Sequence, residues 1–329
     1  MNTITDPKDF GTAKDTILIL GNGFDISLKR KTKYSDFCDS ILWPFDSEYE
    51  NKMGLGNHLY QRKAIKYPID RWIDLEEELF KYCKEGESRL KQFESLYSKL
   101  DKRTLLENDR EDYDLLCNQL SEYLKGVQED DIDTESPAAR VISKLSGRIK
   151  RIFCFNYTNL KKLEERIPNL PKFEDQQSIV YIHGKVDDNT AILGIDDQQE
   201  INRDYRFMVK QFNKNFFRVN VNKESNSLDK ALRVEGQNIV FFGCSFGEND
   251  IDYFKSFFND LETIRPNSIT VFTYDDESRM SILDTLAKIK ENGSRHSVKY
   301  LSLYNDFQII TTKDNDAEID RYLNKLDNE

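Results

Sequence analysis

The sequence has few of the residues from which several common kinds of site are built. Its 329 residues include five cysteines, none in a C-x-x-C pair, and three histidines that stand apart from one another. Scattered thiols argue against a disulfide framework and against a structural zinc, which needs clustered ligands. No run of about 18 apolar residues occurs, so we expect no transmembrane helix. The first fifteen residues lack the pattern of a signal peptide, and the sequence therefore predicts a cytoplasmic protein without a membrane association.

Basic residues are also too few to balance the acidic ones, and the net charge is −11. Residues 107–135 hold eleven acidic and two basic residues, which is most of the excess. An acidic surface disfavours non-specific binding to nucleic acid, so we do not expect DNA or RNA as a partner. We interpret residues 107–135 as a solvated helix face followed by a loop.

What the sequence does contain is a series of short apolar runs separated by helical patterns. Such runs are typical of strands buried on both faces of a sheet, and their alternation with helices predicts an α/β fold with a doubly wound, mostly parallel sheet. The predicted strands are 17–20, 151–155, 178–182, 191–193, 238–242, 268–273 and 298–303. The predicted helices in this part of the chain are 137–149, 159–166, 200–217, 249–261, 276–290 and 316–326.

Residues 70–130 contain no strand pattern, and their apolar residues recur at helical spacing. We therefore predict an inserted helical module over 46–136, between the two parts of an α/β nucleotide-binding domain formed by 1–45 and 137–329. Residues 46–69, with Gly54, Gly56 and Pro68, are interpreted as a loop or mobile cover.

The first predicted strand is followed at once by Gly21-Asn22-Gly23-Phe24-Asp25. Glycine tolerates positive φ and has no Cβ, so a phosphate can approach such a turn closely. The turn is not a dinucleotide fingerprint, because Ile26 stands where G-x-G-x-x-G requires its third glycine, and no P-loop is present. A plain tight turn is the alternative to a nucleotide pocket.

Three further strands end in polar or glycine-rich clusters: Asn156-Tyr157-Thr158-Asn159, His183-Gly184 and Gly243-Cys244-Ser245, with Asp250 soon after. Ligands bind outside the carboxyl ends of the strands in open α/β sheets. We therefore expect the clusters to converge on one crevice. Each residue has a structural alternative: His183 could cap its strand, Asn156 could cap a helix, and Ser245 could stabilise its turn.

These blocks resemble a known family. Gly21 to Asp25, Thr32-Lys33-Tyr34-Ser35-Asp36-Phe37, Trp72-Ile73-Asp74-Leu75-Glu76 and Phe155 to Asn159 are similar to blocks of the AbiH abortive-infection proteins of bacteria, in order over roughly residues 16–255. AbiH proteins are in turn distantly similar to sirtuins, where a glycine turn, an asparagine, a His-Gly and a Gly-x-Ser surround NAD. Sirtuin deacylases also carry paired C-x-x-C zinc motifs, which are missing here.

The resemblance implies an antiphage effector that hydrolyses NAD to ADP-ribose and nicotinamide, with NAD as substrate and no metal. It implies that Asn156 positions water and ribose and that His183 is the general base. The residues expected to bind NAD are Gly21, Asn22, Gly23, Phe24, Asp25, Gly184, Gly243, Ser245 and Asp250.

Two other functions remain open from sequence. One is an NAD or ADP-ribose sensor that does not cleave its ligand. The other is a metal-dependent nuclease, for which Asp187-Asp188, Asp196-Asp197 and Asp250-Asp252 could supply carboxylates. Because NAD hydrolysis would kill the host, we also expect control by self-association, by the helical module, or by a phage-derived trigger.

Overall fold

One parallel sheet of six strands organises the protein. The computed structural model describes residues 15–66, 74–86, 88–91, 102–170, 172, 179–195, 201–213, 227–233, 236–247, 250–259, 268–291 and 306–327. The strands are β1 (Thr16–Leu20), β2 (Ile149–Cys154), β3 (Ile179–Tyr181), β4 (Asn238–Phe242), β5 (Ser268–Thr273) and β6 (Asp306–Thr311). Their spatial order is β3-β2-β1-β4-β5-β6, and every pair is parallel. The order reverses between β1 and β4, which is the switch point where such sheets bind ligands.

Helices cover both faces of this sheet, and the predicted doubly wound α/β fold is confirmed. The α-helices are α1 (Asn22–Ser27), α2 (Tyr34–Cys38), α3 (Leu55–Gln61), α4 (Leu75–Lys84), α5 (Lys102–Val127), α6 (Pro137–Leu145), α7 (Ser227–Leu232), α8 (Asp252–Asn259), α9 (Asp276–Glu291) and α10 (Asp316–Asp327). Short 3-10 segments connect several of them.

The strands form here because their apolar side chains are buried on both sides. In β1, Ile17 and Ile19 pack into one core, with residues of α7, α8 and α9, while Leu18 and Leu20 pack into a second core, with residues of α1, α6 and α10. Successive side chains of a strand point to opposite faces, so an unbroken apolar run fits a strand that has helices above and below.

A third core lies within the helical module between β1 and β2. It contains Leu75 and Leu79 of α4 and Leu116 of α5, all without exposed surface. Residues of 37–45, 186–195 and 201–208, which the sequence analysis assigned to the α/β domain, also contribute to it. The connection from β3 to β4 therefore packs against the helical module, and the predicted boundaries at 45 and 136 do not separate the cores cleanly.

The interpretation of residues 46–69 as a loop or mobile cover was wrong for the described part. Residues 47–49 form a 3-10 turn, 55–61 form α3, and 62–66 form a π-helical turn. The cause is long-range, because the Leu55 N–H donates to Asp109 (2.8 Å) and the Gly56 N–H donates to Asp112 (2.9 Å). These α5 carboxylates cap α3, and Asp109, with no exposed surface, is not part of a solvated face.

Other elements also differ from the predicted ones. Residues 191–193 are not a strand, and their neighbour Ile195 makes only an isolated bridge with Val209. The predicted helices 159–166 and 200–217 contain 3-10 segments at 160–163, 203–208 and 210–212, and 214–217 lie outside the described residues. The predicted strand 298–303 also lies outside them, and β6 was missed.

Candidate functional site

The two side chains expected to act in catalysis lie at the carboxyl edge of the sheet. Asn156 follows β2 and His183 follows the neighbouring β3; they are 5% and 6% exposed. The ring of Phe155 is 5.5 Å from that of His183, and the ring of Tyr157 is 6.4 Å from it. Asn156 lies between these two residues in the sequence, and its own amide is hydrogen-bonded to Asp25.

The glycine turn after β1 packs directly against the turn after β4. The Gly21 N–H donates to the carbonyl oxygen of Phe242 and the Gly23 N–H to that of Gly243, both at 3.0 Å. A Cβ on Gly21 would lie 2.6 Å from the Gly243 oxygen, and one on Gly243, whose φ is +67°, would lie 2.4 Å from the Gly23 Cα. Close approach of two backbones accounts for these glycines, and their contact with a phosphate stays a prediction.

Asp25 is the centre of a buried polar network beneath this turn. One carboxylate oxygen pairs with Arg30 at 2.8 Å. The other accepts hydrogen bonds from the Asn156 Nδ2 (2.8 Å) and the Thr158 hydroxyl (2.6 Å). Arg30 also donates to the carbonyl oxygen of Gln128 at 3.1 Å. Asp25 has no exposed surface, so its carboxylate holds the Asn156 amide in place from within the protein.

His183 pairs with Asp250, which lies between β4 and α8. The Nε2 of His183 is 3.0 Å from Oδ1 of Asp250, and the Asp250 side chain is 34% exposed. Burial favours the neutral acid. The hydrogen bond to His183, followed by the charges of His183 and Lys210, outweighs burial and holds the pKa of Asp250 below its ordinary value. An ionised carboxylate on a histidine fixes the ring and stabilises its protonated form.

A second acid–base pair interacts electrostatically with the first, and sequence reasoning missed it. The Nζ of Lys210 is 3.2 Å from Oε1 and 3.4 Å from Oε2 of Glu76, and the two side chains are 5% and 11% exposed. Burial raises the pKa of Glu76, while the charges of Lys210 and His183 oppose the rise. Asp250 acts on both Glu76 and Lys210. Four ionisable side chains from distant parts of the chain therefore form one electrostatic cluster.

Two tyrosines border this cluster. Tyr34 and Tyr157 interact with each other and with Glu76, and the Tyr157 hydroxyl donates to the carbonyl oxygen of Ile192 at 3.2 Å. Burial, and next the negative charge of Glu76, raises the pKa of Tyr157 well above its ordinary value. Both groups therefore remain neutral hydrogen-bond donors beside the carboxylates.

The remaining predicted binding residues have local roles in the structure. Asn22 is exposed and exchanges hydrogen bonds with Thr32, and the ring of Phe24 packs in the second core. Gly184 has a φ of +71°, and a Cβ there would lie 2.2 Å from the carbonyl oxygen of Thr190. Ser245 is exposed, and its hydroxyl accepts from the Gly247 N–H at 3.3 Å. None of these contacts tests whether the residues bind NAD.

Comparison with known proteins identifies the family. The family model described as bacteriophage abortive infection AbiH matches residues 17–274, which is well over half of the chain. The chain belongs to the AbiH family. The match begins at β1, includes the helical module and β5, and contains every residue of the cluster described above. No individually curated protein matches the chain significantly.

The AbiH match also shows which signal could have revealed the second pair. Glu76 belongs to the block Trp72 to Glu76, which resembles AbiH proteins, yet sequence analysis interpreted that region only as helical core. Asp74 caps α4 by accepting from the N–H groups of Glu76 (3.0 Å) and Glu77 (3.1 Å). Lys210 gave no signal, because its partner lies 134 positions away.

The carboxylates named for a nuclease have other partners in this AbiH protein. Asp187 accepts from Asn159 at 2.7 Å, Asp188 binds Thr190, and Asp252 pairs with Lys255. Residues 196–197 lie outside the described residues. Across the described ranges, no three His, Cys, Asp or Glu side chains are grouped so that they could hold a metal ion. Among the helices described, none is sufficiently long and apolar to cross a membrane.

Proposed function

We propose that this AbiH protein acts in abortive infection by hydrolysing NAD to ADP-ribose and nicotinamide. The observation that carries the proposal is the His183–Asp250 pair, 3.0 Å apart at the carboxyl edge of the sheet, the edge at which Asn156 follows the neighbouring strand. Strand order places this edge next to the switch point between β1 and β4, where open α/β sheets bind nucleotides. A histidine base held by a carboxylate is suited to activating water.

In the proposed reaction, the bond between C1′ of the ribose and the nicotinamide nitrogen breaks first. Its electron pair goes to the ring nitrogen, so nicotinamide leaves as a neutral molecule without help from an acid. The ribose passes through an oxocarbenium-like state, as in other glycoside cleavages. Water bonds to C1′ and gives its proton to His183, and Asp250 stabilises the imidazolium ion that results.

Asn156 is assigned the orienting role. Its Nδ2 donates to Asp25, so the opposite side of the amide, the Oδ1, has a fixed direction. Within the described residues, no hydrogen bond reaches this Oδ1. An amide oxygen held in this way can accept a hydrogen bond from a ribose hydroxyl or from the attacking water.

The direct test is to incubate the purified protein with NAD and measure nicotinamide and ADP-ribose by mass spectrometry. We expect release by the wild type, and a loss of about 10²–10⁴-fold in rate in His183→Ala, as for removal of a general base. His58→Gln is the matched control, because His58 lies in the helical module and pairs with Glu78 instead. Thermal melting checks that each variant is folded.

The same assay is needed in infected cells, because the activity of an abortive-infection protein is expected to await infection. We expect cellular NAD to fall after infection in cells with the wild type but not with His183→Ala. Tight NAD binding without release of nicotinamide, in both the purified protein and infected cells, would replace the proposal with a non-catalytic sensor.

A further inference from the structure

We propose that Glu76 is a further catalytic carboxylate of this site, supplied by the helical module and held by Lys210, which contacts the ribose and stabilises the positive charge that develops on it. The inference rests on the proposed NAD hydrolysis and adds a group to that site. It gives the module a chemical role, since α4 would complete the site formed by the strand ends.

The position of Glu76 is fixed from two sides. Asp74 caps α4 and sets the first turn of the helix, in which Glu76 lies. On the other side, Lys210 approaches both carboxylate oxygens, at 3.2 and 3.4 Å. A carboxylate held at both its backbone and its oxygens is pre-organised, which is what electrostatic stabilisation of a transition state requires.

Lys210 is in turn connected by backbone hydrogen bonds to the segment that carries His183. The Lys210 N–H donates to the carbonyl oxygen of Ile195, and the Ile192 N–H donates to that of His183, both at 2.9 Å. A side chain on Gly194 would lie 2.6 Å from the Met208 carbonyl oxygen and 3.3 Å from Lys210, so the two segments pack closely. These backbone contacts therefore link Lys210, the partner of Glu76, to the segment that follows His183.

The charges of the cluster favour a cation in the substrate. The cluster contains two carboxylates, Glu76 and Asp250, but only one amino group, that of Lys210, beside the imidazole of His183. Two carboxylates around one amino group suit a site in which the ribose becomes positive before His183 takes the proton from water. Asp250 is paired with His183 and Glu76 with Lys210. We assign the contact with the ribose to Glu76, because its partner Lys210, unlike His183, has no part in the proposed proton transfer.

The stability of the fold does not by itself explain a buried ion pair such as Glu76–Lys210. Burying an ion pair costs desolvation that an apolar pair of similar size would avoid. Perturbed ionisable groups that are collected at the ligand edge of a sheet are typical of functional sites. The competing explanation is that Glu76 only ties α4 to the β3–β4 connection through Lys210.

The experiment compares Glu76→Gln with the matched control Glu77→Gln. Glu77 is the next residue of the same helix, is 54% exposed and pairs with Lys81 at the surface. We measure kcat and KM for nicotinamide release, NAD binding by calorimetry, and the melting temperature. Glutamine keeps the shape and one acceptor for Lys210, so the variant is designed to fold. Glu76→Asp restores a carboxylate on a shorter side chain.

We expect Glu76→Gln to lower kcat by about 100-fold with NAD affinity near that of the wild type, as for the loss of one pre-organised charge. The melting temperature should fall, because Lys210 keeps its buried charge without an ionised partner, but the variant should remain folded at the assay temperature. Glu76→Asp should recover part of kcat, and Glu77→Gln should match the wild type. A Glu76→Gln kcat within threefold of the wild type would overturn the inference. So would a loss of kcat that is explained by unfolding at the assay temperature and is not restored by Glu76→Asp. Absence of release by the wild type would instead reject the proposed function.

Discussion

Replacing Asp25 by asparagine tests whether this residue holds the site together from inside. The substitution preserves size but removes the negative charge opposite Arg30, whose side chain has no exposed surface. It also places an NH2 group where a carboxylate oxygen accepts from Arg30 or from Asn156 and Thr158. At least one buried donor then loses its partner.

The expected magnitude follows from these contacts. Removing one partner of a buried ion pair costs about 3–5 kcal/mol, because the remaining charge is left buried and unpaired. An unpaired buried donor costs about 1–3 kcal/mol, but contributions within one network do not add. We therefore expect Asp25→Asn to lower the free energy of unfolding by about 4 kcal/mol, a large part of the 5–15 kcal/mol typical of a folded protein.

Urea denaturation followed by circular dichroism measures this change. The matched control is Asp320→Asn, because Asp320 also pairs with an arginine, Arg140, but is 55% exposed. An exposed pair is worth about 0–1 kcal/mol, so the control should differ little from the wild type. A second variant, Asp25→Asn with Arg30→Met, removes both charges and should recover part of the loss. If Asp25→Asn cost no more than the control, the buried network would not be holding Asn156.

Three further predictions follow from other contacts. Gly243→Ala should destabilise the protein by about 3 kcal/mol or more, because the alanine would have both a positive φ and a Cβ that overlaps the backbone of Gly23. Gly236→Ala is the control: Gly236 has a φ of +72° but no atom near the position of a Cβ, so the substitution should cost about 1–2 kcal/mol in the same urea assay. Burial opposes ionisation of Glu78, but the His58 and Arg62 side chains paired with its carboxylate lower its pKa from 4.5 to about 2, so the stability it contributes is present above pH 4.5 and is lost as the pH falls towards 2. Unfolding at pH 7 and pH 3 should therefore show a smaller difference in Glu78→Gln than in the wild type, and an equal difference would contradict the assignment. Asp250→Asn should lower kcat for nicotinamide release by about 10-fold or more while the protein stays folded, because the imidazolium ion loses its counter-charge, and an unchanged kcat would argue against the His183 role.

The strands could be predicted where burial on both faces of the sheet requires an unbroken apolar run. β4 and β5 begin and end at the residues expected from their apolar runs. β6 is different, because it is an edge strand of which only Ile310 is fully buried, and its polar residues hide the pattern. The region 46–66 was misread for another reason: α3 is capped by carboxylates of α5, more than 50 positions away.

The positions of the candidate site residues could be predicted for residues that follow a strand. They could not be predicted for residues that are placed by pairing with a distant part of the chain. Asn156 and His183 follow neighbouring strands of a parallel sheet, so topology brings them to the same edge. The partner of Asn156 is Asp25, 131 positions away, and a contact of this kind has no periodic signature. The role of Glu76 could not be predicted for the same reason, because its partner Lys210 is 134 positions away. In addition, a glutamate in the first turn of a helix is ordinarily explained by the helix dipole.

The residues of the candidate site stand on two different cores, so a movement of one core against the other would change the site. His183 and Asp250 are anchored on the sheet, whereas Glu76 stands on α4, whose apolar face packs in the third core of the helical module. Lys210 joins the two, because its backbone is tied to Ile195 and its side chain to Glu76. A small shift of the module against the sheet would change the distance between the carboxylate and the histidine without unfolding either core. The proposed NAD hydrolysis would harm the host cell, and with this arrangement the assembled charge cluster would depend on how the module is held.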